Sequence, residues 1–238
     1  MYFSVIIPSE GLLQQAAHDY ASLRNKAEGQ LSYSEHQWIW QFFPGEPTYT
    51  RDFIFRRHEA DNLPRFYVVS SRCPITFSDA WEVQSREYDP QLEKGQHVSF
   101  QLCANPVVTK KGVLTKSRRH DVVMEAKKKL LLEHSGEKWN DWSDDKAKPL
   151  LYELVQKSCC DWLKVRGDKH GFSLVNVNVD SYRQVKAGKR DIQFSTVDFS
   201  GELVVTDPDL FKLLLFSGLG HAKAFGCGLL LVKKLEWV

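Results

Sequence analysis

With 238 residues, 42% of them hydrophobic and 26% charged, the chain carries enough apolar material for one large domain or two of about 100 residues each, and its composition excludes a disordered or low-complexity protein. No run reaches the roughly 20 apolar residues of a membrane span; the best candidate, Leu210 to Phe216, is broken by Lys212, so a cytoplasmic protein with no membrane partner is expected. The net charge of +2 conceals an asymmetry: residues 1–95 carry 9 Lys and Arg against 13 Asp and Glu, whereas residues 96–238 carry 23 against 17.

The first predicted element is a strand from Tyr2 to Pro8, with no basic region before it that would make it a signal peptide. Leu12, Leu13, Ala16, Ala17, Tyr20 and Leu23 then recur at helical spacing up to Gly29. A second helix is expected from Ser32, where Ser32-x-x-Glu35 has the form of a capping box, through Phe43 to the stop at Pro44-Gly45. Strand patterns follow at Arg51 to Arg57, Phe66 to Ser71, Trp81 to Tyr88 and His97 to Leu102. Helices are expected over Asp121 to His134 and Asp145 to Val165. Strands at Phe172 to Asp180 and Ile192 to Val205 are joined by a basic turn, Gln184 to Lys189. Asp207-Pro208 opens a short helix to Phe216, and a glycine-rich loop leads into a last strand. This order predicts an α+β chain of two tandem βαββαβ units, ferredoxin-like, over residues 1–95 and 96–238, a form whose open sheet face is a usual platform for RNA.

Basic residues cluster in the second unit. Lys110 to Lys129 contains eight Lys or Arg and two acids, and Arg183, Lys186, Lys189 and Arg190 follow on the later turn. Such clusters favour a polyanionic partner; the alternative is a solvated helix face beside a polar hairpin tip. The five cysteines have no CxxC spacing and read as reduced packing residues.

Two segments carry chemistry. In Leu31-Ser-Tyr-Ser-Glu-His-Gln-Trp-Ile-Trp, Tyr33 and His36 stand three apart on one helix face, near a helix end that attracts phosphate and favours neutral imidazole. Taken alone, a histidine next to Ile39, Trp40 and Phe43 is more often a packed residue. The second segment, Gly218-Leu-Gly-His-Ala-Lys-Ala-Phe-Gly-Cys-Gly228, can bring backbone N–H groups close to an anion, or it is simply a tight turn. Here a helix precedes and a strand follows, the reverse of a dinucleotide fingerprint, and Lys223 is followed by Ala224 where a Walker loop needs Ser or Thr. No HExxH, dense acidic cluster or histidine pair at ligand spacing is present, so neither metal nor cofactor is expected. RNA cleavage by such a chain would use the RNA's own 2′-OH, with a base, an acid and in-line alignment.

Taken together, Tyr33-x-x-His36 ahead of Trp40 and Phe43-Pro44, Arg51-Asp-Phe-Ile-Phe55, Leu102-x-Ala-Asn-Pro106 and Gly218-x-Gly-x-x-Lys-x-x-Gly-x-Gly228-Leu-Leu resemble, in order and distance, the CasE family of CRISPR-associated repeat-RNA endoribonucleases. The resemblance implies tandem ferredoxin-like domains and metal-independent cleavage of pre-crRNA at the base of the CRISPR repeat hairpin, with a product ending in a 2′,3′-cyclic phosphate. It also implies retention of the mature crRNA among the other Cascade subunits. By resemblance His36 and Tyr33 match the catalytic pair. Lys110, Lys111, Arg118, Arg119, Lys186, Lys189 and Arg190 fall where relatives grip the stem, and Arg51, Gly218, Gly220, His221 and Lys223 are further expected RNA contacts. A non-catalytic crRNA-binding scaffold is the alternative. The chain departs from the family at Gln41, where some relatives carry lysine, at His221, and in the helix between Gly11 and Gly29, which is extra relative to compact members.

Overall fold

The computed structural model of the chain describes residues 1–26, 31–45, 51–60, 63–110, 117–134, 138–142, 148–187 and 192–235, and of these only the backbone for 24–26, 31–33, 60, 186, 187 and 192. The first sheet is built from β1 (Tyr2–Pro8), β2 (Phe53–Ala60), β3 (Leu63–Ser70) and β4 (Trp81–Glu87), in the order β2-β3-β1-β4 with every neighbour antiparallel. Strand side chains alternate between faces, and here both faces are apolar. Phe53, Phe55, Phe66 and Trp81 pack against Ala16 and Tyr20 of α1 (Leu13–Lys26) and Trp38 and Ile39 of α2 (Leu31–Trp40). Ile54 and Val69, on the opposite face, bury with Leu229 from the far end of the chain. A sheet covered on both sides reads as nearly continuous apolar runs, as in Phe53-Ile-Phe55.

The second sheet has the order β10-β5-β9-β8, from β5 (His97–Ala104), β8 (Phe172–Ala187), β9 (Ile192–Val205) and β10 (Leu230–Lys234). Between β5 and β8 lie a two-stranded hairpin, β6 (Val107–Lys110) with β7 (Arg118–Asp121), and the helices α3 (Val122–Glu133) and α4 (Leu151–His170); α5 (Pro208–Ser217) links β9 to β10. Val155, Trp162 and Leu163 of α4 and Phe211 and Leu214 of α5 close over Phe100, Leu102, Phe199 and Leu203. Both sheets thus run fourth-first-third-second, the ferredoxin-like order. The second unit is complete, whereas the first has irregular chain over 71–80 where a second helix would stand.

Several local expectations change. α2 is described over Leu31–Trp40, so Ser32 lies inside it, and Glu35 does not cap: it is buried, 4% exposed, and engaged elsewhere. The shift leaves His36 in the second turn. The predicted helix over Asp145 to Val165 is instead Leu151–His170. Pro149 pushes the residue before it out of helical conformation, and the helix ends at Gly171 with φ 74. The basic turn Gln184 to Lys189 is in its first part strand: β8 continues to Ala187, held by its ladder with β9 and not by an apolar face. The β6–β7 hairpin was not expected at all, because its strands are short and polar. Asp207 does cap α5, accepting from Asp209 and Leu210 N–H, with Pro208 in the first turn. All five cysteines are free, and among the described residues no helix is long and apolar enough to cross a membrane.

Candidate active site

His36 projects from α2 onto β2. Its ring lies 5.7 Å from the Phe53 ring and 6.4 Å from the Phe55 ring, nearly parallel to the latter at 21°, and Trp40, one turn further on the helix, meets it edge-on at 6.3 Å. Phe53 and Phe55 share one face of β2, so two residues of alternation and one helical turn make an aromatic wall behind the imidazole. Nε2 is turned inward, buried and without a hydrogen bond among the described residues. Burial, then the Arg51 guanidinium, pulls the ring's pKa down to about 4, so it is neutral near pH 7.

The residue before it holds α2 in place. Glu35 accepts a hydrogen bond from the Tyr20 hydroxyl of α1 at 2.8 Å, and Arg57 of β2 approaches to 3.4 Å. Arg57 also lies over the Tyr20 ring at 5.6 Å. Burial raises the Glu35 pKa, against which Arg57 and the Tyr20 hydroxyl work. The helix the sequence marks as extra is thereby part of the core and a buttress of α2, its Ala16 and Tyr20 buried.

The glycine-rich loop reaches the same place from the other unit. Leu219 N–H donates to Gly228 C=O at 2.8 Å and Gly228 N–H to Cys103 C=O at 2.7 Å, which clasps the loop onto β5. Gly218, Gly220, Gly226 and Gly228 all have left-handed φ, as does Ala222 at 57°. The 3-10 turn Lys223–Phe225 packs on α2. A Cβ on Gly226 would touch the Phe55 ring at 3.4 Å, so the ring that His36 faces also borders the loop. Lys223 Nζ donates to the Ser217 carbonyl at 2.7 Å, and burial, then Arg51, lowers its pKa.

Cations converge around the loop. Burial, followed by Arg119, Arg166 and Lys223, lowers the His221 pKa. Arg119 and His221 line a groove with Gln184, Gln193, Phe194 and Phe225, the last two with ring centroids 5.0 Å apart. Arg166 went unnoticed in the sequence; it donates to the Val107 carbonyl at 3.1 Å and stacks on Trp162, itself bonded to the same carbonyl. Its signal was its place one turn after a buried tryptophan. Gln184 stands opposite Ser195, and Gln193 opposite Lys186, on the extended β8–β9 ladder, which sequence periodicity did not show.

The structure separates other predicted contacts. In the hairpin Lys110 stands opposite Arg118, and Arg119, one residue on, takes the other face. Arg119 therefore lines the groove, while Lys110 pairs with Glu125, which also holds His120 at 2.8 Å. The Tyr33 and Lys186 side chains, and Lys111, Lys189 and Arg190, lie outside the described residues. Among the described residues no group of three or more His, Cys, Asp or Glu is arranged to hold a metal ion.

A neutral histidine against a glycine-rich loop, with cations around both and two ferredoxin-like units as frame, defines a protein class that handles anionic ligands. The family profile described as CRISPR associated protein matches residues 1–234, and the chain belongs to this family. It is 26% identical over 201 residues to the CRISPR system Cascade subunit CasE of Escherichia coli (strain K12), covering 83% of this chain and 89% of that protein. Its fold resembles that of Thermus thermophilus Cse3 bound to an RNA representing a pre-cleavage complex, with TM-score 0.65, 21% identity and 98% of each chain covered. It also resembles Cas6e from E. coli K-12, with TM-score 0.58, 20% identity, 99% of this chain and all of that one.

Proposed function

We propose that this chain is a CRISPR repeat-RNA endoribonuclease: it cleaves pre-crRNA at the base of the repeat hairpin and keeps the crRNA as a Cascade subunit in the cytoplasm. The observation that carries this is the packing of α2, which bears His36 in the first unit, on the Lys223 turn of the second, beside a groove bearing Arg119 and His221. Residues 1–95 act as the domain that supplies the histidine helix, and residues 96–238 as the domain that supplies the loop and the cations. The similarity to the Cascade subunit CasE and the fold likeness to an RNA-bound Cse3 support the same activity.

In the reaction the 2′-oxygen attacks phosphorus as the bond to the 5′-oxygen breaks. The 2′ proton passes to a base and the 5′-oxygen takes up a proton, leaving a 2′,3′-cyclic phosphate and a 5′-hydroxyl. A neutral imidazole is fit to accept the 2′ proton. Proton transfer runs through Nδ1 as the ring stands, or through Nε2 after a turn about χ2, because Nε2 is enclosed. Tyr33, three residues before His36, assists as the second member of the pair, and Arg51, Arg118, Arg119, Lys186, Lys189 and Arg190 hold phosphates.

The enclosed Nε2 favours a second reading, a subunit that holds crRNA without cutting it. Repeat RNA incubated with wild type and His36→Ala, with the 3′ end of the product identified, separates the two. Cleavage slowed by two to four orders of magnitude in the variant, with binding retained, supports the enzyme; intact RNA with wild-type protein supports the scaffold.

A further inference from the structure

We infer that Lys223 is a catalytic residue: its ammonium group contacts the non-bridging oxygens of the scissile phosphate and stabilises the charge that builds there during cleavage. The inference rests on the endoribonuclease activity proposed above and names the cation on which that activity depends.

A pentacoordinate phosphorane carries more negative charge on its non-bridging oxygens than the diester does, and fixed positive groups aimed at it lower the barrier without reorganisation. His36 is uncharged and cannot supply that charge, and His221 is likewise held toward its neutral form. Of the cations nearby, Arg166 is committed to the Val107 carbonyl and to the face of Trp162. Arg119 sits on the hairpin and lines the groove with His221. Arg51 is exposed, at the entry to β2. Lys223 alone of these belongs to the turn that packs directly on α2, and both it and the His36 ring feel the charge of Arg51.

Its position is also built. Ala222 at φ 57 and Gly226 at φ 78 fix the backbone on either side of the turn, and Phe225 is anchored on Phe194. The Ser217 carbonyl takes one ammonium proton, which leaves two for oxygens of a ligand, and among the described residues no carboxylate pairs with it. A Cβ at Gly228 would come within 3.3 Å of Lys223 Cγ, so a glycine there keeps the path of the lysine stem open. The lysine exchanges no proton: the 2′ proton and the proton on the 5′-oxygen are moved by other groups, and Lys223 supplies charge only.

The test compares wild type, Lys223→Met, Lys223→Gln and Lys223→Arg in single-turnover cleavage at saturating repeat RNA, with affinity measured on the same RNA bearing a 2′-deoxy scissile nucleotide. Loss of the charge should slow cleavage about 10²- to 10³-fold, the scale for one oxyanion donor, with affinity changed less than about threefold, while Lys223→Arg stays within about tenfold of wild type. A substrate with sulfur in place of the bridging 5′-oxygen needs no proton on its leaving group, so Lys223→Met should remain slow on it. Wild-type rates in Lys223→Met and Lys223→Gln, a loss confined to affinity, or recovery on the sulfur substrate would each overturn the assignment while leaving the enzyme standing. Failure of wild type to cut repeat RNA would overturn the activity itself. Thermal unfolding of each variant separates a lost charge from a lost fold, and Lys223→Arg carries the test if the neutral variants do not fold.

Discussion

Two glycines of the same loop should respond to alanine very differently. At Gly228, φ is 96° and an added Cβ would stand 2.7 Å from the Leu219 carbonyl oxygen, which is backbone and cannot swing aside. The left-handed conformation costs an L-residue about 1–2 kcal/mol. Relieving the clash pulls apart the clasp between Leu219 N–H and Gly228 C=O, about 1 kcal/mol more. The sum, about 2–3 kcal/mol, corresponds to a fall in Tm of roughly 4–12 °C for a chain of this size. At Gly226, φ is 78° but the nearest neighbour is the Phe55 ring at 3.4 Å, an ordinary contact. Gly226→Ala carries only the conformational cost and should lower Tm by about 2–8 °C, less than Gly228→Ala by the share of the broken clasp. Calorimetry of both variants, followed by repeat-RNA cleavage, checks this, and Gly228→Ala should lose more activity because Lys223 moves with it. Equal Tm shifts, or a larger one for Gly226→Ala, would refute the steric account of the loop.

Glu35→Ala leaves the Tyr20 hydroxyl and the Arg57 side chain without their buried carboxylate and should destabilise by about 2–3 kcal/mol in urea unfolding, whereas Tyr20→Phe costs about 1 kcal/mol and the pair is non-additive. His36 titrates near 4 when folded and near about 6.5 when unfolded, so between those values the unfolded chain binds the extra proton. Its contribution to stability is full above the upper value and is lost as pH falls through the window; the Tm difference between pH 7 and pH 4.5 should shrink in His36→Gln. RNA affinity should fall steeply with salt, and Arg119→Gln should reduce the log–log slope by about 1. EDTA should leave cleavage unchanged; its loss on chelation would point to a metal-dependent reaction.

Local chemistry is what the sequence by itself determined. A continuous apolar run marked Phe53-Ile-Phe55 as strand and alternation marked Phe199, Asp207-Pro208 marked a helix start, and the glycines of 218–228 marked backbone that only glycine adopts easily, as their φ values bear out. These features depend on residues within a turn or two of each other. Ser32-x-x-Glu35 misled for the same reason: a local pattern fits a cap, but the buried Tyr20 hydroxyl and Arg57, distant in sequence, take the carboxylate. The polar β6–β7 hairpin and the outer part of the β8–β9 ladder escaped notice because pairing, not hydrophobic periodicity, sustains them.

Only the tertiary structure decided which cations matter. Lys110, Arg118 and Arg119 look alike in sequence, yet strand alternation sends Arg119 to the groove and leaves Lys110 paired with Glu125. His36 and Lys223 belong to different units, and α2 and the Lys223 turn pack together where Ile54, Val69 and Leu229 bury one unit against the other. Contacts of that kind follow from how two apolar surfaces fit together, a property of the packed chain that no short stretch of sequence encodes.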